Sequence, residues 1–290
     1  LVGVASGANA PTTQMQTCAV AGDPHYTPFT GKKDRYTVMG TGEFVLAAKG
    51  TFSVHGCQAD ENFNNRSFRK TEGAITWNRD VVAEDEGAKV EVTKDGTINI
   101  TEDGVPLPQM TWDRTTAWRQ ARIAHTGAKV IVTQTYQNGV NIKFATGKMV
   151  KVNYFSKEEG RFGARSGLNV QVVTPKEAGY TGLCNESKST AKGKTFHTVA
   201  AADSKFTQGK CKGVVVQKSV SEEDIVREIN ALPCLALIRN AELACNNNQD
   251  CVYDVVAGCT GNEAVTAAQR EEAKETALIY SPEALPTKPY

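Results

Sequence analysis

Residues 130–154 read VIVTQTYQNGVNIKFATGKMVKVNY, and this stretch decides the fold. Apolar residues recur at every second position, as Val130/Val132, Val140/Ile142/Phe144 and Val150/Val152/Tyr154, with polar residues between them. Period two puts the apolar side chains on one face of a pleated strand. Asn138-Gly139 and Thr146-Gly147 divide the runs, and such dipeptides suit hairpin turns because glycine takes positive φ without steric cost. The pattern continues outward through Val90/Val92, Ile98/Ile100 and Val170/Val172, with further turns at Asp95-Gly96 and Asp103-Gly104. Turn signals at a spacing of roughly eight to twelve residues predict an antiparallel meander from about Tyr36 to Val173, with strands enough for a β-sandwich.

Beyond Ser219 the period changes. Glu222, Glu223 and Asp224 suit a helix N-terminus, and Ile225, Val226, Ile229 and Leu232 follow at helical spacing up to Pro233. A second helical stretch runs from Cys234 to about Cys245, and a third opens on the Thr260-x-x-Glu263 capping box. Four cysteines, Cys234, Cys245, Cys251 and Cys259, fall in this short part, where cross-links substitute for a small core. Ser281 to Tyr290 carries Pro282, Pro286 and Pro289 and reads as an extended tail. The predicted organisation is an extended N-terminal arm over 1–17, a sandwich over 18–216, a cysteine-rich helical module over 217–279 and a Pro-rich tail over 280–290.

Composition narrows the function. The chain has 290 residues, with 33 Lys and Arg against 32 Asp and Glu. A net charge of +1 supplies no field for nucleic acid or an anionic membrane. No apolar run approaches the ~18 residues of a membrane span. Eight cysteines without CxxC or HxxxH spacing argue for disulfides over zinc, and so for an oxidising, extracellular compartment. The opening LVGVASGANA contains the small-x-small Ala8-Asn9-Ala10 but no charged region, which favours a mature N-terminus. Sequons at Asn65, Asn99 and Asn185 are glycosylation candidates, although about two arise by chance in a chain rich in Asn and Thr.

Cys18-Ala-Val-Ala-Gly22-Asp23-Pro24-His25-Tyr26-Thr-Pro-Phe29-Thr-Gly31 resembles the opening of a von Willebrand factor type D domain, and Gly182-Leu183-Cys184 is similar to its closing GLCG. Phe44-Val45-Leu46-Ala47 looks like the second strand of that family, so the resemblance spans about Cys18 to Val216. The C-terminal part resembles the C8-like cysteine-rich segment that commonly follows. The resemblance implies a Cys18–Cys184 disulfide. Cys57 and Cys211 are then the remaining pair of the β-domain, and Cys234–Cys251 with Cys245–Cys259 is the expectation for the helical part. The family often has a further cysteine within Gly42-Glu43-Phe44-Val45, and none stands here.

Many relatives hold calcium through the Asp of a TFDG motif and an Asn/Asp-rich loop after GLCG, which suits a cation taking six to eight oxygens. Here the first position is Thr30, and Lys188, Lys192 and Lys194 stand in the loop. Only Asn185 and Glu186 offer oxygens, so no metal or other cofactor is expected, with Lys188 or Lys192 as a substitute cation. In some relatives the Asp-Pro bond of GDPH breaks autocatalytically. Chemically, Asp23 can attack its own carbonyl, the nitrogen of Pro24 leaves once protonated, and His25 shuttles the proton. The structural alternative has Asp23 capping a turn, Pro24 fixing φ and His25 packing, and it is favoured. His55, His125 and His197 have no partnered nucleophile motif, and no hydrolase, metalloprotease, phosphate-loop or dinucleotide signature occurs. Trp77, Trp112 and Trp118 form either a sugar platform or packing, and Arg114, Arg119 and Arg122 a local basic patch.

The expected function is therefore that of a secreted structural or adhesive subunit, not an enzyme. It would assemble with copies of itself or with other matrix or coat proteins into a filament or coat at the cell surface. The alternatives are self-processing at Asp23-Pro24 and a glycan-binding module.

Overall fold

A computed structural model of the chain describes residues 13–21, 24–38, 40–59, 77–112, 122–135, 139–160, 163–191, 194–206, 211 and 217–220. In chain order the strands are β1 (Met15–Ala21), β2 (His25–Thr27), β3 (Tyr36–Val38), β4 (Gly42–Lys49), β5 (Phe52–Ala59), β6 (Trp77–Asp85), β7 (Ala88–Thr93) and β8 (Thr97–Glu102). They continue as β9 (Val105–Pro106), β10 (Met110–Thr111), β11 (Arg122–Thr126), β12 (Val130–Thr135), β13 (Gly139–Phe144), β14 (Met149–Gly160), β15 (Gly163–Pro175), β16 (Thr195–Phe196) and β17 (Gln217–Val220).

All pairings among them are antiparallel. The first sheet has ten strands in the order β11-β12-β13-β14-β15-β1-β2-β3-β17-β16, and the second has seven, β10-β8-β7-β6-β5-β4 with β9 on β8. Their inner faces share one core. Val132, Ile142, Val152 and Val172 of the first sheet and Phe44, Val54, Val81 and Val90 of the second are all at most 1% exposed within it. Each such side chain contributes about 1.5–3 kcal/mol of apolar burial. The fold is a mainly β, disulfide-linked sandwich.

The hairpins follow the local chemistry of their turns. Glu86-Gly87 and Asp103-Gly104 are two-residue loops in which both residues have positive φ, at 45°, 86°, 51° and 79°. That twist matches the flanking strands.

Two boundaries differ from the sequence reading. Met15, Gln16 and Thr17, placed in the arm, pair with Pro175, Thr174 and Val173 as the start of β1. They carry no apolar alternation because the inward position is Gln16, whose amide donates to Thr174 Oγ1 at 3.3 Å. Gln217–Val220, assigned to the helical module, is a strand between β3 and β16, held by its backbone. The helical segments, the tail and residues 1–12 lie outside the described residues.

Candidate functional site

Two assemblies of polar side chains stand out, one at the junction of the first and last strands and one on the outer face of the seven-stranded sheet. At the junction, Cys18 in β1 is bonded to Cys184, which lies in a 3-10 turn, Leu183–Asn185. The turn is fixed from several sides. The Phe29 amide donates to the Cys184 carbonyl at 2.9 Å. The Tyr36 hydroxyl donates to the Leu183 carbonyl, and the Phe29 and Tyr180 rings lie 5.3 Å apart. Gly182 has φ +94°, and a Cβ there would sit 2.8 Å from the carbonyl oxygens of Val45 and Leu46. Only glycine fits, because both the backbone angle and the space exclude a side chain.

Beside this junction Pro24 and His25 lie at the turn between β1 and β2, while Asp23 is outside the described residues. His25 is 6% exposed, and its Nδ1 lies 2.9 Å from Thr37 Oγ1. The Pro24 carbonyl accepts from the Val38 amide at 3.4 Å. Tyr26 and Tyr36 stack at 5.3 Å, and the Gln58 amide donates to the Tyr26 hydroxyl. Burial pushes both phenols well above their ordinary range, and the hydrogen bond from Gln58 only partly opposes it at Tyr26. They therefore remain neutral at any ordinary pH.

The candidate calcium ligands do not gather into a site. Thr30 and Asn185 are exposed, and Glu186 Oε1 is paired with the ammonium of Lys194. That lysine comes from the cluster after Cys184, but it is neither Lys188 nor Lys192. Among the described residues no group of three His, Cys, Asp or Glu side chains is placed to hold a metal ion. Of the sequons, Asn99 lies on β8 and accepts from the Gln109 amide at 3.0 Å, Asn185 is the exposed last residue of the Leu183–Asn185 turn, and Asn65 is outside the described residues.

Of the second assembly the sequence predicts only the Cys57–Cys211 pair, which the structure shows. On the outer face of the seven-stranded sheet Glu43 faces Cys57 in register, Cys57 is bonded to Cys211, and Phe206 packs on Cys57 and Val82. Glu43, 2% exposed, is the hub. Its Oε1 accepts from His55 Nδ1 at 2.7 Å and from the Lys205 amide at 3.0 Å, and its Oε2 accepts from Ser204 Oγ at 2.5 Å. The Glu43 carbonyl also accepts from the Val199 amide at 2.8 Å. Segment 199–206 is thus fastened across the sheet by a side chain, a backbone group and a nearby disulfide.

Burial raises the Glu43 carboxyl, but the hydrogen bonds from His55, Ser204 and Lys205 outweigh it and leave the carboxyl below its ordinary value. Asp80, opposite Cys57, goes the other way: burial raises it, and the Arg79 guanidinium at 2.9 Å offsets this only in part. The hydroxyl of Ser204 bonds the carboxylate, not the imidazole. The trio is a clamp and lacks the hydroxyl-to-imidazole bond of a nucleophile relay.

The remaining candidates separate. Trp77 and Trp112 are 4% and 5% exposed core residues, so they form no sugar platform, and Trp118, Arg114 and Arg119 lie outside the described residues. Arg122 is exposed at the start of β11. His125 lies 3.7 Å from Glu102, and His197 is exposed. Cys234, Cys245, Cys251 and Cys259 are outside the described residues. Among the described residues no helix is long and apolar enough to cross a membrane. No protein-family model matches the chain, and no curated protein matches it.

Proposed function

We propose that the chain is a secreted structural or adhesive subunit that assembles into extracellular material through protein contacts, built on a sandwich of the von Willebrand factor type D kind. The observation that carries this reading is the edge strand β11 of the ten-stranded sheet and the apolar side chain it exposes. That strand pairs with β12 on one side and, among the described residues, with nothing on the other. Ile123 on that edge is 72% exposed. A sheet edge that exposes an apolar residue is a template for another chain. The disulfides, closing 166 and 154 residues of chain, support folding and service in an oxidising compartment.

Size-exclusion chromatography with light scattering, run without reductant, tests the reading. A concentration-dependent multimer is expected, and a clean monomer at high concentration overturns it.

A second reading, self-processing at Asp23-Pro24, is favoured by one feature: the buried imidazole of His25 stands one residue beyond Pro24, held against Thr37. Mass spectrometry of the denatured chain separates the two, because cleavage leaves a fragment beginning at Pro24. Copies of itself or other matrix and coat proteins are the partners in the first reading. A glycan partner would have to use the Trp118 segment, and loss of array binding in Trp118→Ala tests that.

A further inference from the structure

Charge is distributed unevenly along this nearly neutral chain. Residues 221–290 hold twelve Asp and Glu against five Lys and Arg, a net charge of −7. Residues 1–220 hold the remaining 28 Lys and Arg against 20 Asp and Glu, a net charge of +8. The two parts attract one another, so the question is where on the sandwich the acidic part can sit.

The register supplies one surface. Two rows of outward residues cross six strands of the ten-stranded sheet. One runs from Thr17 through Val173, Met149, Lys143 and Ile131 to Thr126. The other runs from Ala19, which shares this face but is only 2% exposed, by way of Lys151 to Ile123. Neither row contains Asp or Glu, each contains one lysine, and no carboxylate of the described residues pairs with Lys143 or Lys151. Three of the four large apolar side chains exposed among the described residues lie on or beside these rows: Ile123 at 72%, Met15 at 47% and Ile131 at 37%. Six strands at a spacing of about 4.8 Å make a face about 24 Å wide.

We infer that this face, β11 to β15 with β1, receives the acidic C-terminal segment, residues 221–290, of a neighbouring copy. The segment has the matching chemistry. Ile225, Val226, Ile229 and Leu232 recur at helical spacing, with Glu222, Glu223, Asp224 and Glu228 beside them. Eleven helical residues span about 16 Å, which fits within the face and sets apolar residues against Ile131 and Ile123 while carboxylates reach the two lysines. The occupant is assigned to another molecule because the assembly reading requires a contact between copies. Face and segment are different parts of the chain, so the contact is heterologous and propagates from copy to copy. This inference rests on the assembly reading above and names the surfaces that assembly uses.

Zero-length carbodiimide cross-linking of the full chain tests it. Unlabelled and ¹⁵N-labelled protein are mixed at about 1 M salt, where exposed charge contacts are screened, and returned to low salt before coupling. The expected product joins Lys143 or Lys151 to an acid between Glu222 and Glu283, with one peptide light and the other heavy. In Lys143→Glu/Lys151→Glu the yield of these acids in mixed-isotope links should fall about tenfold, at unchanged melting temperature. Links confined to one isotope would mean that each chain fills its own face, which overturns the inference. So would multimers, seen by light scattering, that contain no link at either lysine, although the assembly reading would survive them. A monomer throughout would sink the assembly reading itself.

Discussion

The outer faces of the two sheets carry the same alternation of polar residues and have opposite fates. On the seven-stranded sheet Glu43, His55, Asp80 and Glu91 are at most 5% exposed, with segment 199–206 clamped to the sheet by Glu43 and Cys57 bonded to Cys211. On the ten-stranded sheet Ile131 and Ile123 stand open beside Lys143 and Lys151. The covered face is the one with buried carboxylates, and each needs donors to offset its desolvation. The open face has no carboxylate in its two central rows, so it can be covered without leaving an anion unpaired. A polar residue opposite the core thus identifies the face that is not the main core, and leaves undecided whether that face meets water.

The covered face can be broken most strongly at its disulfide. Replacing Cys57 and Cys211 together with alanine removes a cross-link spanning 154 residues. On the chain-entropy model this costs about 5 kcal/mol. Urea unfolding should show a loss of that order, with amide exchange rising first over 199–206. Cys18–Cys184 spans 166 residues, so the same model makes the two losses equal to within about 0.1 kcal/mol. A larger difference between the double variants measures how far the cover folds independently of the core. Unchanged exchange over 199–206 would show that the clamp alone holds it.

The clamp is the next point of attack. Glu43→Gln keeps one acceptor but removes the charge that His55, Ser204 and the Lys205 amide share, a loss of about 2 kcal/mol. The wild-type protein should show the same weakness in acid. The folded carboxyl of Glu43 lies below the ordinary value of 4.5, so its contribution is complete above that pH and is lost as the pH falls through the folded value. Asp80 is raised by burial and opposes this over the same range, because its protonation relieves the fold. The acid limb of the stability curve should therefore be steeper in Asp80→Asn and flatter in Glu43→Gln, as measured by thermal melting between about pH 3 and 6. An identical limb in Glu43→Gln would remove the clamp from the account.

The strands from Val130 to Tyr154 were legible because each carries its own alternation and its own turn. Met15–Thr17 and Gln217–Val220 were not, because backbone pairing to a neighbour holds them and their side chains announce nothing. Half of the clamp was within reach: Glu43 and His55 flank one hairpin, and its register brings them together across the strands. Ser204 and Lys205 arrive from 161 and 162 residues away, a pairing that only tertiary structure decides. The carboxylate of Glu186 was legible as a group needing a cation. Which lysine supplied it depended on the path of the loop, and Lys194 does so.

The smallest expected change in stability is also the sharpest test of the contrast. Ile123 lies on an edge strand, 72% exposed and opposite Thr133. Ile123→Thr keeps a β-branched side chain that suits the pleat and pairs with a threonine, so the isolated sandwich should lose no more than about 0.5 kcal/mol. On a face that meets only water nothing further should change. On a face that receives another chain, the lost ethyl group and the added hydroxyl sit at the contact, and the multimer should dissociate at lower dilution while the melting temperature of the monomer holds. Glu43→Gln should do the reverse, lowering the melting temperature without moving the dissociation midpoint, unless the covered face also takes part in assembly. Sedimentation velocity over a dilution series, run beside calorimetry on both variants, reads the two quantities separately. If Ile123→Thr leaves the dissociation midpoint where it was, the open flank of the ten-stranded sheet is not where copies meet.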